Sequence, residues 1–227
     1  MMIPPDLAPR IDLAILKPEA LAAEVHKVAT DAMRANCRAV CVAPVWVARV
    51  ARMVEGSGVR VCSAVGFPHG TGKSTLKAIE ATSTSKDGAD EIDVVAHLPL
   101  IVGLDLDAAR AELMEIVRAA RSTRRDAGIF VIVETALLSR LGAERSERAF
   151  EVACRSVRES GCDGVATASG FHPAGGATAE AVRQLKRFGE GLIIKAAGGV
   201  TNDAQARELL DAGADRVRLD ADEASRA

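Results

Sequence analysis

The residues with the clearest chemical potential are charged side chains placed inside apolar stretches. Lys195 stands between Ile194 and Ala196, and Asp93 follows Ile92 in a stretch rich in valine and isoleucine. Burying either charge in a strand is costly unless a partner or a reaction compensates for it. A carboxylate beside a lysine can act as a general acid or base, while the lysine stabilises negative charge on a carbonyl oxygen. The alternative is that the two side chains only neutralise each other.

Further polar residues follow other apolar stretches. Glu134 ends one of them, and we expect it either to be catalytic or to orient Lys195 or Arg218. Arg218 could hold a substrate carboxylate with two parallel hydrogen bonds, or it could neutralise the acids around it. Three histidines on predicted loops are candidates for acid–base work or substrate contact: His69, His97 and His172. They lack the spacing of a metal motif, so no metal site is predicted.

These residues belong to a repeating pattern of short apolar stretches and helical segments. The predicted strands cover residues 11–16, 39–43, 59–66, 91–96, 129–134, 164–169, 192–197 and 216–219. Between them, segments such as 106–120 carry apolar residues at helical spacing. Strands and helices in this alternation predict one (β/α)₈ barrel domain over residues 1–227. Few residues follow the last strand, so we expect a short or missing eighth helix: either the sequence is truncated, or a partner subunit, as in a homodimer, covers that side.

A weak internal repeat predicts which side chains enter the barrel. Residues 87–93, 160–166 and 212–218 each contain a glycine, a tight turn and the start of a strand. Glycine suits the left-handed end of a helix. The fifth residues after these glycines are Asp93, Ala166 and Arg218, on strands four, six and eight. Because alternate strands fill one interior layer of such a barrel, we expect these side chains to face one central space.

Composition excludes several classes of partner. The 227 residues carry a formal net charge of −2 and no basic block, which favours neither nucleic acid nor an anionic membrane as a partner. No apolar run reaches the length of a membrane span and no signal peptide is recognisable, so a cytoplasmic protein is predicted. The five cysteines lack pairing or metal motifs and are expected to be reduced, buried thiols. Composition indicates no cofactor, and none is predicted. Gly72-Lys73-Ser74 misses the spacing of a phosphate loop.

The sixth predicted strand resembles a motif of a known family. Residues 163–171 read Asp-Gly-Val-Ala-Thr-Ala-Ser-Gly-Phe, which is similar to the Val-Lys-Thr-Ser-Thr-Gly-Phe strand of the deoxyribose-phosphate aldolases. In that family the lysine forms a Schiff base with the substrate carbonyl. Ala166 stands at its position, and a methyl group cannot attack a carbonyl. We expect Thr167 and Ser169, in the same motif, to contact the substrate.

Other motifs extend the resemblance over most of the chain. Those similar to the family's strands one, two, three, four and seven are residues 11–18, 40–44, 65–70, 90–95 and 195–200. By this resemblance Asp93 would transfer protons, and Lys195 would match the second family lysine, which tunes the Schiff-base amine. The family's Gly-Thr-Ser element on strand eight, which helps to hold a substrate phosphate, is replaced here by Arg218, Leu219 and Asp220.

The resemblance implies a barrel that has diverged where the family touches its substrate. Backbone N–H groups of Gly175 and Gly176, or of Gly198 and Gly199, could hold an anion, but without the strand-eight element no phosphorylated substrate is expected. We predict acid–base chemistry next to a carbonyl of a small carbonyl or carboxylate compound in specialised metabolism. The reactions considered are C–C bond cleavage or formation, dehydration, isomerisation and cyclisation. Two alternatives stay open: an aldolase whose Schiff base has moved to Lys195, and a catalytically silent barrel that binds a metabolite or a partner protein.

Overall fold

The computed structural model describes residues 3–221, whose strands close into one parallel barrel. In barrel order the strands are β1 (Ile11–Ile15), β2 (Ala39–Val42), β3 (Arg60–Val65), β4 (Glu91–Val95), β5 (Gly128–Ile132), β6 (Gly164–Ala166), β7 (Ile193–Ala196) and β8 (Arg216–Asp220). β8 pairs with β1, from Val217 with Ile11 to Asp220 with Ala14, and this pairing closes the barrel. The predicted (β/α)₈ fold is therefore confirmed. The prediction for the last helix falls on residues 222–227, outside the described residues.

Helices connect the strands and cover the outside of the barrel. In the described part of the chain they are α1 (Ala22–Ala35), α2 (Val47–Val54), α3 (Ser74–Lys86), α4 (Leu98–Val102), α5 (Leu106–Thr123), α6 (Thr135–Leu138), α7 (Ala143–Glu159), α8 (Ala179–Phe188) and α9 (Asp203–Asp211). The apolar stripe predicted for 106–120 is confirmed in α5, where Ala109, Leu113 and Ile116 are buried. Within residues 3–221, no helix has both the length and the apolar character that a membrane crossing requires.

Alternate positions along each strand serve two different regions, as the two-residue period of a strand demands. Outward-facing residues such as Ile92 and Val94 join the large apolar core between strands and helices. The inward-facing set among the described residues includes buried charges, namely Asp12, Glu91, Asp93, Lys195, Arg216 and Arg218. These charges contact one another across strands that are not neighbours, so they lie inside the barrel. The predicted buried free thiols are also confirmed, at Cys37, Cys41, Cys62, Cys154 and Cys162.

The internal repeat has the backbone conformation predicted for it. The repeat glycines adopt left-handed backbone angles, with φ of 108° at Gly88, 82° at Gly161 and 111° at Gly213. Each glycine lets the chain leave a helix and turn into the next strand.

The aspartate that follows each of these turns has a role that the pattern did not predict. Its carboxylate accepts a hydrogen bond from a backbone N–H of the preceding strand in the barrel. The pairs are Asp90 with Val61 at 2.7 Å, Asp163 with Ile129 at 2.7 Å and Asp215 with Ile194 at 2.8 Å. The repeat therefore fastens three pairs of adjacent strands at their N-terminal ends.

Replacing Asp90 tests this fastening. Asp90→Ala removes the acceptor for the Val61 N–H, and an unpaired amide in that position costs about 1–3 kcal/mol of unfolding free energy. Asp90 also forms an ion pair with Arg124. Asp126→Ala is the matched control, because Asp126 is a second partner of Arg124, at 3.4 Å, but its side chain is 81% exposed. We expect the control to change stability by less than about 0.5 kcal/mol in urea unfolding. Equal losses in the two variants would mean that only the ion pair with Arg124 matters.

Candidate active site

The centre of the barrel holds Lys195 between two carboxylates. Its Nζ lies 2.6 Å from Asp93 Oδ1 and 3.1 Å from Asp12 Oδ2, and all three side chains are fully buried. The ammonium also lies 4.2 Å from the ring centre of Phe130, which faces it as a cation–π partner. Asp93 and Lys195 were predicted to meet, and the structure brings them together. Asp12 was missed, although it alternates with apolar neighbours on β1.

The surroundings of Lys195 favour its protonated form. Burial acts to lower the pKa of the amine, but the negative charges of Asp93 and Asp12 outweigh burial. The pKa of Lys195 is therefore raised above its ordinary value. A Schiff base requires a neutral amine as the nucleophile, and this site holds an ammonium instead.

A second ionic group lies beneath the first, toward the N-terminal ends of the strands. Glu91 accepts two hydrogen bonds from Arg216, at 3.0 and 2.6 Å, and a third from Arg38 at 3.3 Å. Burial acts to raise the pKa of Glu91, but the hydrogen bonds from Arg216 and the charge of Lys195 lower it to about 2. Glu91 and Arg216 were missed by sequence reasoning. Each stands two residues before a predicted site residue, so the period of two along a strand was the available signal.

Arg218 lies on the other side of Asp93, at the C-terminal end of the barrel. Its Nη2 donates to the carbonyl oxygen of Ser169 at 2.6 Å and to that of Ala168 at 3.3 Å. Its Nη1 lies 3.9 Å from Asp93 Oδ2, while Nε and Nη1 have no hydrogen-bond partner among the described residues. Asp93 Oδ2 also lacks a partner there. The Nη2 group of the guanidinium is thus fixed, and its Nη1 group lies near an oxygen of Asp93 that accepts no hydrogen bond among the described residues.

Ala166 is buried in a small apolar cluster inside the same barrel. Val95, Ile132 and Ala197 belong to this cluster, and the half-buried Phe67 packs against it. The guanidinium of Arg218 lies 5.9 Å from the ring centre of Phe67. Of the three side chains predicted to share one space, Asp93 and Arg218 are neighbours, and Ala166 contributes only its methyl group to the apolar wall.

Glu134 acts on the site through the backbone of the loop after β6. It adopts a left-handed conformation with φ of 52°, just before α6, and its Oε1 accepts the N–H of Ser169 at 2.9 Å. The carbonyl of the same residue, Ser169, holds Arg218. Glu134 therefore fixes the peptide that positions Arg218, and no contact described in the structure joins it to Lys195.

The predicted substrate contacts at the ends of β6 and β7 occupy different positions, and only some of them line a cavity. The hydroxyl of Thr167 donates to the carbonyl of Ala197 at 2.7 Å and accepts the N–H of the same residue at 2.8 Å, so it links the ends of β6 and β7. Ser169 and Gly199 instead line a cavity of about 240 Å³ at the mouth of the barrel. Gly198, with φ of 95°, forms the turn next to it.

The three predicted histidines occupy loops at the C-terminal ends of the strands. His69 is exposed after β3. His97 is half-buried before α4, and its backbone N–H donates to the carboxylate of Glu112 at 3.2 Å. Nδ1 of His172 accepts the N–H of Ala174 at 3.1 Å. No contact described within residues 3–221 joins any of them to Asp93 or Lys195.

One cluster has donor atoms close enough to surround a metal ion. The ligand atoms of Cys41, Cys62 and Asp93 lie within 4.8 Å of one another. The ammonium of Lys195, however, is 2.6 Å from Asp93 and 3.9 Å from the sulfur of Cys62. The hydrogen bond with Cys41 and burial raise the pKa of Cys62 well above its ordinary value. A protonated thiol beside an ammonium suits a metal poorly, because metals bind the thiolate.

Comparisons with known proteins define the family. The profile of the DeoC/LacD family aldolases matches residues 10–218. The deoxyribose-phosphate aldolase of Mycolicibacterium paratuberculosis is 40% identical over 214 residues, which cover 94% of this chain and 92% of the relative. The fold resembles the tetrameric deoxyribose-phosphate aldolase of Aeropyrum pernix, with a TM-score of 0.83, 30% identity and coverage of 94% and 86%. It also resembles the aldolase QR15, with a TM-score of 0.84, 32% identity and coverage of 97% and 96%.

The fold and these comparisons define a barrel of the aldolase type. The chain belongs to the DeoC/LacD family of aldolases, in the branch that contains the deoxyribose-phosphate aldolases.

The lowered pKa of Glu91 predicts how stability depends on pH. The ordinary pKa of this group is 4.5 and its folded value is about 2. Its stabilising contribution is therefore complete above the higher value and is lost as the pH falls toward the lower one. In Glu91→Gln the cations keep no ionised partner at this position, so we expect a loss of roughly 3–5 kcal/mol at neutral pH.

Urea unfolding of both proteins between neutral and acidic pH measures this effect. The difference in unfolding free energy between wild type and Glu91→Gln should shrink as the pH falls from about 4.5 to about 2. A difference that stays constant over this range would show that folding does not lower the pKa of Glu91.

Proposed function

We propose that this chain is a diverged DeoC-family lyase that uses acid–base chemistry next to a carbonyl without an imine at strand β6. Asp93 removes and returns a proton on the carbon beside the carbonyl. Arg218 binds the carbonyl oxygen and stabilises the negative charge that develops on it. The enolate formed in this way can form a C–C bond by adding to a second carbonyl, or it can be protonated again. In the cleavage direction Asp93 would take the proton of a β-hydroxyl group, and the breaking C–C bond would release a second carbonyl compound and the same enolate.

The observation that carries this proposal is the environment of Asp93. Its Oδ1 is held by Lys195 at 2.6 Å, whereas its Oδ2 has no hydrogen-bond partner among the described residues and lies 3.9 Å from Arg218. A carboxylate fixed through one oxygen and open at the other is suited to proton transfer. The Nη1 group of Arg218, which makes no hydrogen bond among the described residues, lies beside that open oxygen and would bind the carbonyl oxygen.

Two features support chemistry without a Schiff base. Ala166 stands where the related aldolases are expected to carry their nucleophilic lysine, and it offers no nucleophile. The raised pKa of Lys195 keeps the remaining lysine of the barrel centre protonated. Lys195, which contacts Asp93, would stabilise anionic intermediates near Asp93 by its positive charge, without forming a covalent bond to them. This argues against a Schiff base relocated to Lys195.

The proposed substrate is a small, unphosphorylated carbonyl compound. On strand β8, Arg218, Leu219 and Asp220 replace an element that would hold phosphate, and the mouth cavity of about 240 Å³ suits a compact molecule. We further propose that the enzyme acts in the cytoplasm, in specialised metabolism, without a cofactor. Its other predicted substrate contacts are Ser169, Gly199 and the loop histidines.

A second candidate is a barrel that binds a metabolite without converting it. Its support is the burial of the site, since Asp93, Lys195 and Arg218 are all fully buried. For catalysis, the guanidinium of Arg218 either has to move so that the substrate reaches Asp93, or has to bind a substrate that enters from the mouth cavity.

Proton exchange tests the proposal with simple carbonyl compounds in place of the substrate. A panel of small aldehydes and ketones is incubated with the protein in deuterated water, and loss of the signal of the protons next to the carbonyl is followed by NMR. Wild type should accelerate exchange for at least one compound, and Asp93→Asn should slow it by about 10²-fold or more.

Asp12→Asn is the matched control for this experiment. Asp12 also contacts Lys195, at 3.1 Å, but no described contact joins it to Arg218. We expect a loss of less than about tenfold, once thermal unfolding has shown that both variants fold. Equal losses would mean that neutralising Lys195 is all that Asp93 does, and no exchange by wild type with any compound would favour the silent barrel.

A further inference from the structure

The mouth cavity is lined by the ends of three strands and the loop after β6. Its polar lining comes from Lys17, Glu19, Ser169, Gly170, Gly199 and Asp220. Ser169 connects the cavity to the centre of the barrel, because its carbonyl holds Arg218, whose Nη1 faces Asp93. A molecule that reacts at Asp93 would therefore place its far end in this cavity.

The glycine turn after β7 has an N–H group that points at a carboxylate of the same chain. Gly198 and Gly199 both have left-handed backbone angles, with φ of 95° and 74°. Successive N–H groups in such turns form sites that commonly hold anions. Here the N–H of Gly199 donates to Asp220 Oδ2 at 3.0 Å, and the N–H of Asp220 donates to Val200 at 2.8 Å. The side chain of Asp220 thus occupies the place that an external anion would take.

The charges around the cavity also disfavour an anion. Among residues 3–221, Asp220 and the exposed Glu19 bring two carboxylates to its lining, and Lys17 brings one ammonium. That ammonium is bound to Glu24 at 2.6 Å. The nearest buried cation, Arg218, has its Nε 3.7 Å from Asp220 Oδ1, so the same carboxylate partly neutralises it. An entering anion would meet two negative charges and would have to displace Asp220 from Gly199.

We propose that Asp220 determines specificity by excluding anions, and that the far end of the substrate carries hydrogen-bond donors. These donors are hydroxyl or ammonium groups, and the carboxylates of Asp220 and Glu19 accept hydrogen bonds from them. This inference rests on the proposed function only in taking the cavity as the place of the substrate's far end. Its test measures binding and needs no turnover.

Inorganic phosphate is the probe for anion exclusion. It is titrated into the full chain and followed by calorimetry and phosphorus NMR, with wild type, Asp220→Asn and Asp220→Gly. Asn removes the charge and keeps an oxygen that can accept from Gly199, whereas Gly removes both. We expect no saturable binding to wild type, and phosphate affinities that rise from Asp220→Asn to Asp220→Gly. Asp220→Gly should bind phosphate at least about tenfold more tightly than the upper limit that the titration sets for wild type.

Asp107→Asn is the control for net charge, since Asp107 lies on α5 with a side chain that is 84% exposed. It should leave phosphate binding as weak as in wild type. The proposal is overturned if wild type binds phosphate as tightly as Asp220→Gly, or if folded Asp220 variants gain no affinity.

Two small ligands distinguish the kinds of donor in the substrate. Glycerol offers hydroxyl groups alone, and ethanolamine adds an ammonium group. Saturable binding of ethanolamine that weakens about tenfold in Asp220→Asn would assign the cavity to an ammonium. If wild type and Asp220→Asn bind glycerol with equal affinity and neither prefers ethanolamine, the cavity would be assigned to hydroxyl groups. Failure of wild type to bind either ligand would overturn the binding part of the proposal. Because no reaction is measured, these outcomes are independent of whether Asp93 transfers protons.

Discussion

The contact between the ammonium of Lys195 and the carboxylate of Asp93 is the interaction on which the rest of the site depends. Both groups are completely buried, with Nζ 2.6 Å from Oδ1. Charges withdrawn from water in this way are tolerated only when they are paired and hydrogen-bonded. Asp12 and Phe130 complete the surroundings of the ammonium. These contacts fix one oxygen of Asp93 and leave the other toward Arg218.

Charge balance links this contact to the rest of the barrel. Within the described residues, the interior cations Lys195, Arg216 and Arg218 face the carboxylates of Asp12, Glu91 and Asp93. A lysine in place of Ala166 would add a fourth cation to this group. Arg218 supplies positive charge near Asp93 from β8, and Ala166 on β6 adds none.

Much of this architecture could be predicted from the sequence, because it follows from local patterns. The alternation of apolar strands and helices predicted the closed barrel, and the glycine repeat predicted the inward position of Asp93 and Arg218. Glu91 and Arg216 were missed because their significance depends on which strands face each other across the barrel. The hydrogen bonds of Thr167 and Glu134 could not be predicted from the sequence either. Both side chains bind backbone groups of other segments, and no residue pattern records such contacts.

The same limit applies to Asp220. In the sequence it is only the last residue of the Arg218-Leu219-Asp220 segment. Its bond to the N–H of Gly199 joins two segments that are 21 residues apart in the chain. The proposed selection against anions rests on this contact, which the sequence alone does not record.

The protonation state of Lys195 is the most direct test of the central claim. The measurement is NMR of the protein labelled with ¹⁵N at the lysine side chains, in which the Lys195 signal is identified by its loss in Lys195→Arg. We predict an ammonium signal that persists to pH values above about 10, the ordinary pKa of lysine, because the carboxylates of Asp93 and Asp12 hold the proton. A signal that changes to that of a neutral amine near or below about pH 8 would contradict the proposed mechanism. It would make Lys195 available as a Schiff-base nucleophile.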